Sequence, residues 1–448
     1  MLTLLSAGSN AQGQLGNTTI DDSHIFQACS FATASPGTLP VHATDVMDIV
    51  NGSNHTLVLL GVRTADGVGS TEVWGCGDGR KGQLGPDHRQ RHTNQGSTTI
   101  FQRLMLDPAF DKLGLSGYVV SAISATWETS YLSLTRPGKH DVIVSFGSNE
   151  FGDLGVGRDA GDKLAEEGPG AHIVDFSRVI VDGNTIDSAQ TVVVERLRAG
   201  QRHIIAALKV VWNGREPTQV LVGWGARRHG QLDDTRVPPQ PTYQSYPTLV
   251  MSTPTPSNFT IEYSLGIHHS VFLHASGRVS FRGSNRKNQV QGLDGLQMIR
   301  DIKCTWNGTY ALTSDDPARI FATGSNSHGQ LGRTEDTGIP EVKGVPPIEG
   351  NKGIKALACG SEHLLVCLTG DGINDEVWGC GWNEHGNLGL GNTIDSPVPL
   401  KIWPPSYRPE NIEINPIRNI WGGTGSSWIL CGTFNAAEDM SPQGSLLA

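Results

Sequence analysis

Four histidines share one local setting: His55, His203, His269 and His363 each stand three residues after a glycine, at Gly52, Gly200, Gly266 and Gly360. Imidazoles near neutral pH serve as metal ligands or general bases. Either task requires convergence, yet these four recur once per unit, with Glu128, Gly308 and Ser426 in the corresponding places elsewhere. They are expected to be hydrogen-bonded turn residues distributed round a repeat. His88 and His92 lie four apart in a polar stretch with no third ligand, so no zinc site is expected. The pairs Glu166–Glu167 and Asp233–Asp234 fall in predicted loops and read as solvated surface rather than paired general acids. No G-x-S-x-G, P-loop or H-E-x-x-H occurs, and the glycine motifs follow strands without opening helices. The expectation is a non-catalytic chain with no metal and no cofactor.

What positions these residues is a repeat. The stretch Gly8-Ser-Asn-Ala-Gln-Gly-Gln-Leu-Gly16 returns at Gly77–Gly85, Gly147–Gly155, Gly225–Leu232, Gly283–Val290 in degenerate form, Gly324–Gly332 and Gly381–Gly389. The leading glycines lie 69, 70, 78, 58, 41 and 57 residues apart. A fixed motif with stretching intervals marks one supersecondary unit carrying loop insertions. Glycine and asparagine suit a turn, and β-favouring runs such as Glu72–Cys76, Val142–Phe146, Val220–Trp224, Arg319–Ala322 and Glu376–Cys380 precede it. A second motif alternates with the first, at Ile49–Val58, Ile123–Leu132, Leu197–Ala206, Tyr263–Phe272, Ile302–Ala311, Leu357–Val366 and Ile420–Ile429. Seven of each means seven units.

The ends of the chain decide how the units assemble. Internal second motifs run through a strand into the next first motif, as in Ile267–Asn285. The last second motif has no successor, and the first motif, preceded by Leu2–Ala7, has no predecessor. A ring in which the N-terminal strand completes the blade begun by Ile420–Cys431 satisfies both and leaves no open sheet edge. The fold expected is all-β, a seven-bladed β-propeller over residues 1–433, with 434–448 a disordered tail. Residues 157–170 and the six-proline stretch 238–256 read as dispensable surface insertions, and a short helical segment is expected near Phe101–Leu113. Trp74, Trp224 and Trp378 are expected in the core.

Forty-four acidic residues against 34 basic ones give a net charge of −10, which argues against general nucleic-acid binding. The seven cysteines include no C-x-x-C and read as buried small hydrophobes in a reducing compartment. Leu2–Leu5 is too short for a signal peptide, so a cytoplasmic location is expected, with the nucleus as a second compartment.

With its alternating G-S-N-x-x-G-Q-L-G and G-x-x-H-T/S motifs, the chain resembles the family named for the regulator of chromosome condensation. That family includes an exchange factor for the small GTPase Ran, a plant ultraviolet photoreceptor, ubiquitin-ligase domains and a fungal alpha-tubulin suppressor or killer-toxin-insensitivity protein. The chain lacks the basic N-terminal tail of the first and the repeated Gly-Trp-Arg-His-Thr sites of the second. Its last-blade Trp378–Gly389 run is similar to the fungal type. That resemblance implies a scaffold binding a small acidic zinc or iron ribbon protein, as a monomer in a heterodimer, in support of Elongator-dependent tRNA wobble-uridine modification and diphthamide synthesis. The alternative it implies is a guanine-nucleotide exchange factor for a Ran-like GTPase.

The variable turn interiors are the predicted contact residues. They are Ala11-Gln12, Arg80-Lys81, Glu150-Phe151, Arg227-Arg228-His229, Arg286-Lys287, Ser327-His328 and Trp382 to His385. If all seven emerge on one side, Arg80, Lys81, Arg227, Arg228, Arg286 and Lys287 gather against only Glu150 and Glu384. Such a face would steer an acidic partner, with Trp382 as an apolar anchor flanked by Glu384 and His385.

Overall fold

The computed structural model describes residues 2–64, 66–91, 97–157, 170–233, 242–254, 259–315, 317–333, 353–370, 375–405 and 416–432. Among them seven antiparallel sheets of three or four strands form the blades of a propeller. Blade one comprises Ala43–Asn51, His55–Arg63, Gly69–Asp78 and Ser97–Arg103; blade two Val119–Ala125, Thr129–Thr135, Val142–Gly147 and His172–Ile173. Blade three comprises Thr191–Ala199, His203–Val211, Thr218–Ala226 and Tyr243–Pro254. Blade four is Thr260–Leu265, His269–His274 and Val279–Gly283; blade five is Ile299–Thr305, Gly308–Thr313 and Ile320–Gly324. Blade six is Ile354–Cys359, His363–Leu368, Glu376–Gly381 and Ser396–Trp403.

Blade seven joins the two ends of the chain: Ile417–Gly423, Ser426–Gly432, Leu2–Gly8 and Ser23–Ala28. Its closing ladder runs unbroken from Leu2 opposite Gly432 to Gly8 opposite Ser426. Leu4, Trp428 and Leu430 then pack with Val58, Trp74 and Phe101 of blade one in a single cluster across the seam. The second strand of each blade is buried on both faces because a neighbouring blade covers each one. That is why Ser426–Gly432 is buried at every residue and His203–Val211 is nearly so. Trp74 and Trp224 are in this core, and Trp378 packs at its margin.

One local expectation needs correcting. Tyr243–Pro254 is not an insertion but the outer strand of blade three, paired with Thr218–Ala226. Prolines had pointed to a loop, yet an outermost strand leaves one row of backbone groups unpaired, so Pro247 and Pro254 fit there without losing a ladder bond. The short helix expected near Phe101–Leu113 is present at Asp107–Lys112, while Phe101 itself is in the preceding strand, fully buried and stacked on Phe31 at 4.9 Å. Residues 158–169, 238–241, 255 and 256 of the two proposed insertions, and the tail 434–448, lie outside the described residues. No described helix is long and apolar enough to cross a membrane.

Candidate functional site: the turn face

Both motif sets come to one face of the ring. In every blade the N–H following the leading glycine of the first motif donates to the carbonyl at the tip of the second-motif hairpin. The bonds are Ser9 to Gly425 (2.8 Å), Asp78 to Asn54 (2.7 Å), Ser148 to Glu128 (2.9 Å), Ala226 to Arg202 (2.7 Å), Ser284 to His268 (2.8 Å), Ser325 to Asn307 (2.9 Å) and Trp382 to Glu362 (2.9 Å). The glycine is required by this approach. At Gly77, φ is +92° and a Cβ would stand 2.3 Å from the Asn54 carbonyl oxygen.

The remaining motif residues hold the turn rigid. The Oδ1 atoms of Asn10, Asn149, Asn285, Asn326 and Asn383 accept from the N–H five residues later, at 2.8–3.0 Å. Gln14, Gln83, Gln231, Gln289 and Gln330 accept through Oε1 from the variable tip two residues back, at 2.7–3.0 Å. A variable tip pinned at both ends is a preorganised surface.

The four repeated histidines do not gather into a site; they join neighbouring blades. His55 Nε2 meets Ser130 Oγ at 3.0 Å, His203 meets Ser270 at 3.1 Å, His269 meets Thr309 Oγ1 at 3.2 Å and His363 meets Ser427 at 3.0 Å. Ser130, Ser270 and Thr309 each donate their hydroxyl proton to a first-motif carbonyl, at Gln83, Gln231 and Gln289. Their oxygens therefore accept from the imidazole N–H, which puts a proton on Nε2 of His55, His203 and His269, and the buried Nδ1 of each has no partner, as suits a neutral ring. Burial agrees, lowering His203 to about 3 and His55, His269 and His363 to about 4.

Asp153 is the exception among the pinning residues, a carboxyl where the other turns carry an amide. Its Oδ2 accepts from Phe151 N–H at 3.2 Å, but its buried Oδ1 has no partner. Burial pushes its pKa up to about 7.

The centre of the face is aromatic. Hairpin tips are tied blade to blade round the axis: Ser53 N–H to Trp127 O (2.8 Å), Trp127 to Gln201 (2.8 Å), Ile267 to Trp306 (3.0 Å), Trp306 to Ser361 (2.7 Å) and Ser361 to Gly423 (3.2 Å). They surround an axial cavity of about 130 Å³ with walls from all seven blades, including Asn51, Thr126, Gly200, Leu265, Thr305, Ser361 and Gly423. Half-buried Trp127 of blade two and Trp306 of blade five reach toward each other at this mouth, ring centroids 5.9 Å apart. Sequence reasoning missed this pair. The available signal was that the same tip position holds Ser53, Gln201, Ile267, Ser361 and Thr424 elsewhere, so two units place an aromatic where the turn does not need one.

The predicted contact residues are all on this face, but their charges are not of one kind. Arg80 is held by Asp78 of its own turn through two 2.9 Å contacts, and Arg227 is paired with Asp233 and bonded to Gln244. Lys81, Arg228, Arg286 and Lys287 are exposed. The opposite side of the face gathers acids from outer loops. Asp395 of blade six meets His328 Nδ1 of blade five at 2.7 Å, and Asp22 of blade seven meets His385 Nδ1 of blade six at 2.6 Å. Each aspartate also accepts from its own turn, at Asn383 and Asn10 N–H, both 2.8 Å. Trp382 is only half exposed, edge-on to His385 at 5.2 Å and to His328 at 6.2 Å. Glu384 is exposed beside it. The face is thus basic over blades three and four and acidic over blades six and seven, with Arg80 and Arg227 of the six expected cations already paired. Among the described residues no three His, Cys, Asp or Glu side chains form a group able to hold a metal, and all seven cysteines are free thiols.

Comparison with known proteins agrees with this architecture. The family model described as "Regulator of chromosome condensation (RCC1) repeat" matches residues 374–417. The chain is 26% identical over 440 residues to the secretion-regulating guanine nucleotide exchange factor of Bos taurus, covering 91% of this chain and 78% of that protein. An RCC1 repeat-containing protein of Schizosaccharomyces pombe is 25% identical over 398 residues, covering 86% and 88%. Among solved structures, human WBSCR16 superposes with a TM-score of 0.67 at 17% identity, covering 97% of this chain and 100% of that one.

Proposed function

We propose, for a chain that belongs to the regulator-of-chromosome-condensation (RCC1) repeat propellers, a protein-interaction role in which the turn face receives a small GTPase and promotes nucleotide exchange on it. The observation that carries this reading is the face itself. Seven rigid turns present their variable residues on one side, round a paired tryptophan at the centre. Binding energy in protein interfaces concentrates in such central, partly desolvated aromatics, with a polar surround that excludes water. The charge division supplies orientation, since a partner steered by opposite charges at two edges docks in one register. Guanine-nucleotide exchange is the activity in the name of the bovine relative, which aligns over most of both chains. It demands a shaped surface that stabilises the nucleotide-free partner rather than bond chemistry, which suits a face of rigid turns with variable tips.

The reading that a small metal-binding ribbon protein is the partner, in tRNA and diphthamide modification, rests on the fungal resemblance alone. One experiment separates the two. A panel of purified small GTPases loaded with fluorescent GDP is mixed with the full chain and excess GTP. Faster release from one member supports exchange; unchanged release from every member, with a ribbon protein bound stoichiometrically instead, would overturn it.

A further inference from the structure

The seam between blades three and four collects five basic side chains from four different turns. His229, from the first-motif turn of blade three, and His268, from the hairpin of blade four, stack with centroids 3.9 Å apart and planes at 35°. Arg228 and Arg286 act electrostatically on His229, and Arg202 and Arg286 act on His268. Arg202 lies over the Phe151 ring at 4.0 Å, and its buried Nε has no hydrogen-bond partner. Arg228 and Arg286 make no side-chain hydrogen bond or ion pair among the described residues.

Elsewhere on the face four basic groups are met by acids: Arg80 by Asp78, Arg227 by Asp233, His328 by Asp395 and His385 by Asp22. At this seam no carboxylate forms an ion pair with Arg228 or Arg286 among the described residues. Asp233 is committed to Arg227, Asp153 acts on Arg202 alone of the five and burial opposes its ionisation, and Glu150 is exposed on the tip of the neighbouring blade. Like charges gathered without a counter-ion repel in the free protein, and an incoming anion relieves that repulsion.

We infer that this seam is an anion site, built by Arg202, Arg228, Arg286 and the His229–His268 stack, that takes the carboxylates of an acidic segment on the docking partner. It rests on the turn face being the docking face, not on the partner being a GTPase. Guanidinium groups bind carboxylates through paired N–H donors, and three of them round one stack can engage adjacent acidic side chains together.

The site also has a proton linkage. Burial, and after it the neighbouring arginines, hold His229 below the ordinary histidine range; for His268 the causes are burial, His229 and then Arg202 and Arg286. A carboxylate seated there opposes the arginines' effect, so the complex binds more protons than the free protein. Affinity therefore rises as pH falls through the histidine range.

The test uses fluorescein-labelled hexaglutamate, which stays ionised at about pH 6 and about pH 7.5, titrated into the full chain at low salt with anisotropy detection. Saturable binding is expected, roughly three- to ten-fold tighter at the lower pH. Arg228→Glu with Arg286→Glu should weaken it by at least about ten-fold. His229→Gln with His268→Gln should bind equally at both pH values. Absence of binding at either pH, or binding indifferent to the arginine reversals, overturns the site. Binding that the reversals abolish but pH does not change overturns the proton linkage. Hexaglutamate binding by a protein that releases GDP from no GTPase would sink the exchange reading and leave the anion site standing.

Discussion

Asp153 shows how one residue can set a pH dependence. Gln14, Gln83, Gln231, Gln289, Gln330 and Asn387 occupy its place in the other turns, and each supplies an uncharged amide. With a folded pKa of about 7 against 3.8 in the unfolded chain, Asp153 favours folding when protonated. Its contribution is fully present below about pH 4, is lost as pH rises to about 7, and stays lost above. Asp153→Asn removes the liability and keeps an amide of the kind Asn387 provides. The melting temperature of the variant should match wild type near pH 4 and exceed it by a few degrees near pH 8. A difference independent of pH would refute the assignment. The four seam histidines act in the opposite sense. Folded values of about 3–4 lie below the ordinary 6.5, so they support the fold above pH 6.5 and withdraw that support as pH falls toward 4. Their structural role was legible in the sequence because substitution by Glu128, Gly308 and Ser426 ruled out a shared site. The Trp127–Trp306 pair was not, since its members lie three blades apart and periodicity carries no information about what meets across the axis. Counting Arg80 and Arg227 among the gathered cations overlooks Asp78 and Asp233, which stand two and six residues away, close enough for local pairing.

At the scale of elements, the strand Leu2–Gly8 carries more than its length suggests. It pairs with both Ser426–Gly432 and Ser23–Ala28, and it buries Leu2, Leu4 and Leu5. Burial of such side chains contributes about 1.5–3 kcal/mol each, against a total stability of roughly 5–15 kcal/mol for a folded domain. Deleting residues 1–9 should therefore abolish the cooperative thermal transition seen by circular dichroism. A truncated protein that melts like the full chain would contradict closure. This element was legible because the order of the two motifs at the chain ends left one strand without a partner. The outer strand of blade three was not, because proline on an outer edge and proline in a loop look alike in sequence. Val250 is buried within Tyr243–Pro254, so removing that strand should lower the melting temperature by several degrees. A deletion that left the transition unmoved would return this stretch to the class of surface insertions.

For the whole molecule, the repeat makes function a property of a face rather than of a pocket. The recurring glycine, asparagine, glutamine and leucine of the turns are spent on geometry, which leaves the variable tips and hairpin ends to meet a partner. That division explains why the fold could be read from the motifs while the partner could not. The central claim is that docking occurs on the turn face and is anchored at the axis. The most direct measurement compares GDP release from the responsive GTPase by wild type, by Trp127→Ala with Trp306→Ala, and by Lys139→Glu with Arg215→Glu, two exposed residues in turns at the far ends of blades two and three. The tryptophan variant, folded by circular dichroism, should lose at least about ten-fold in exchange rate, and the far-face variant should match wild type. Full activity in the tryptophan variant together with loss in the far-face variant would place the docking surface on the other side of the ring.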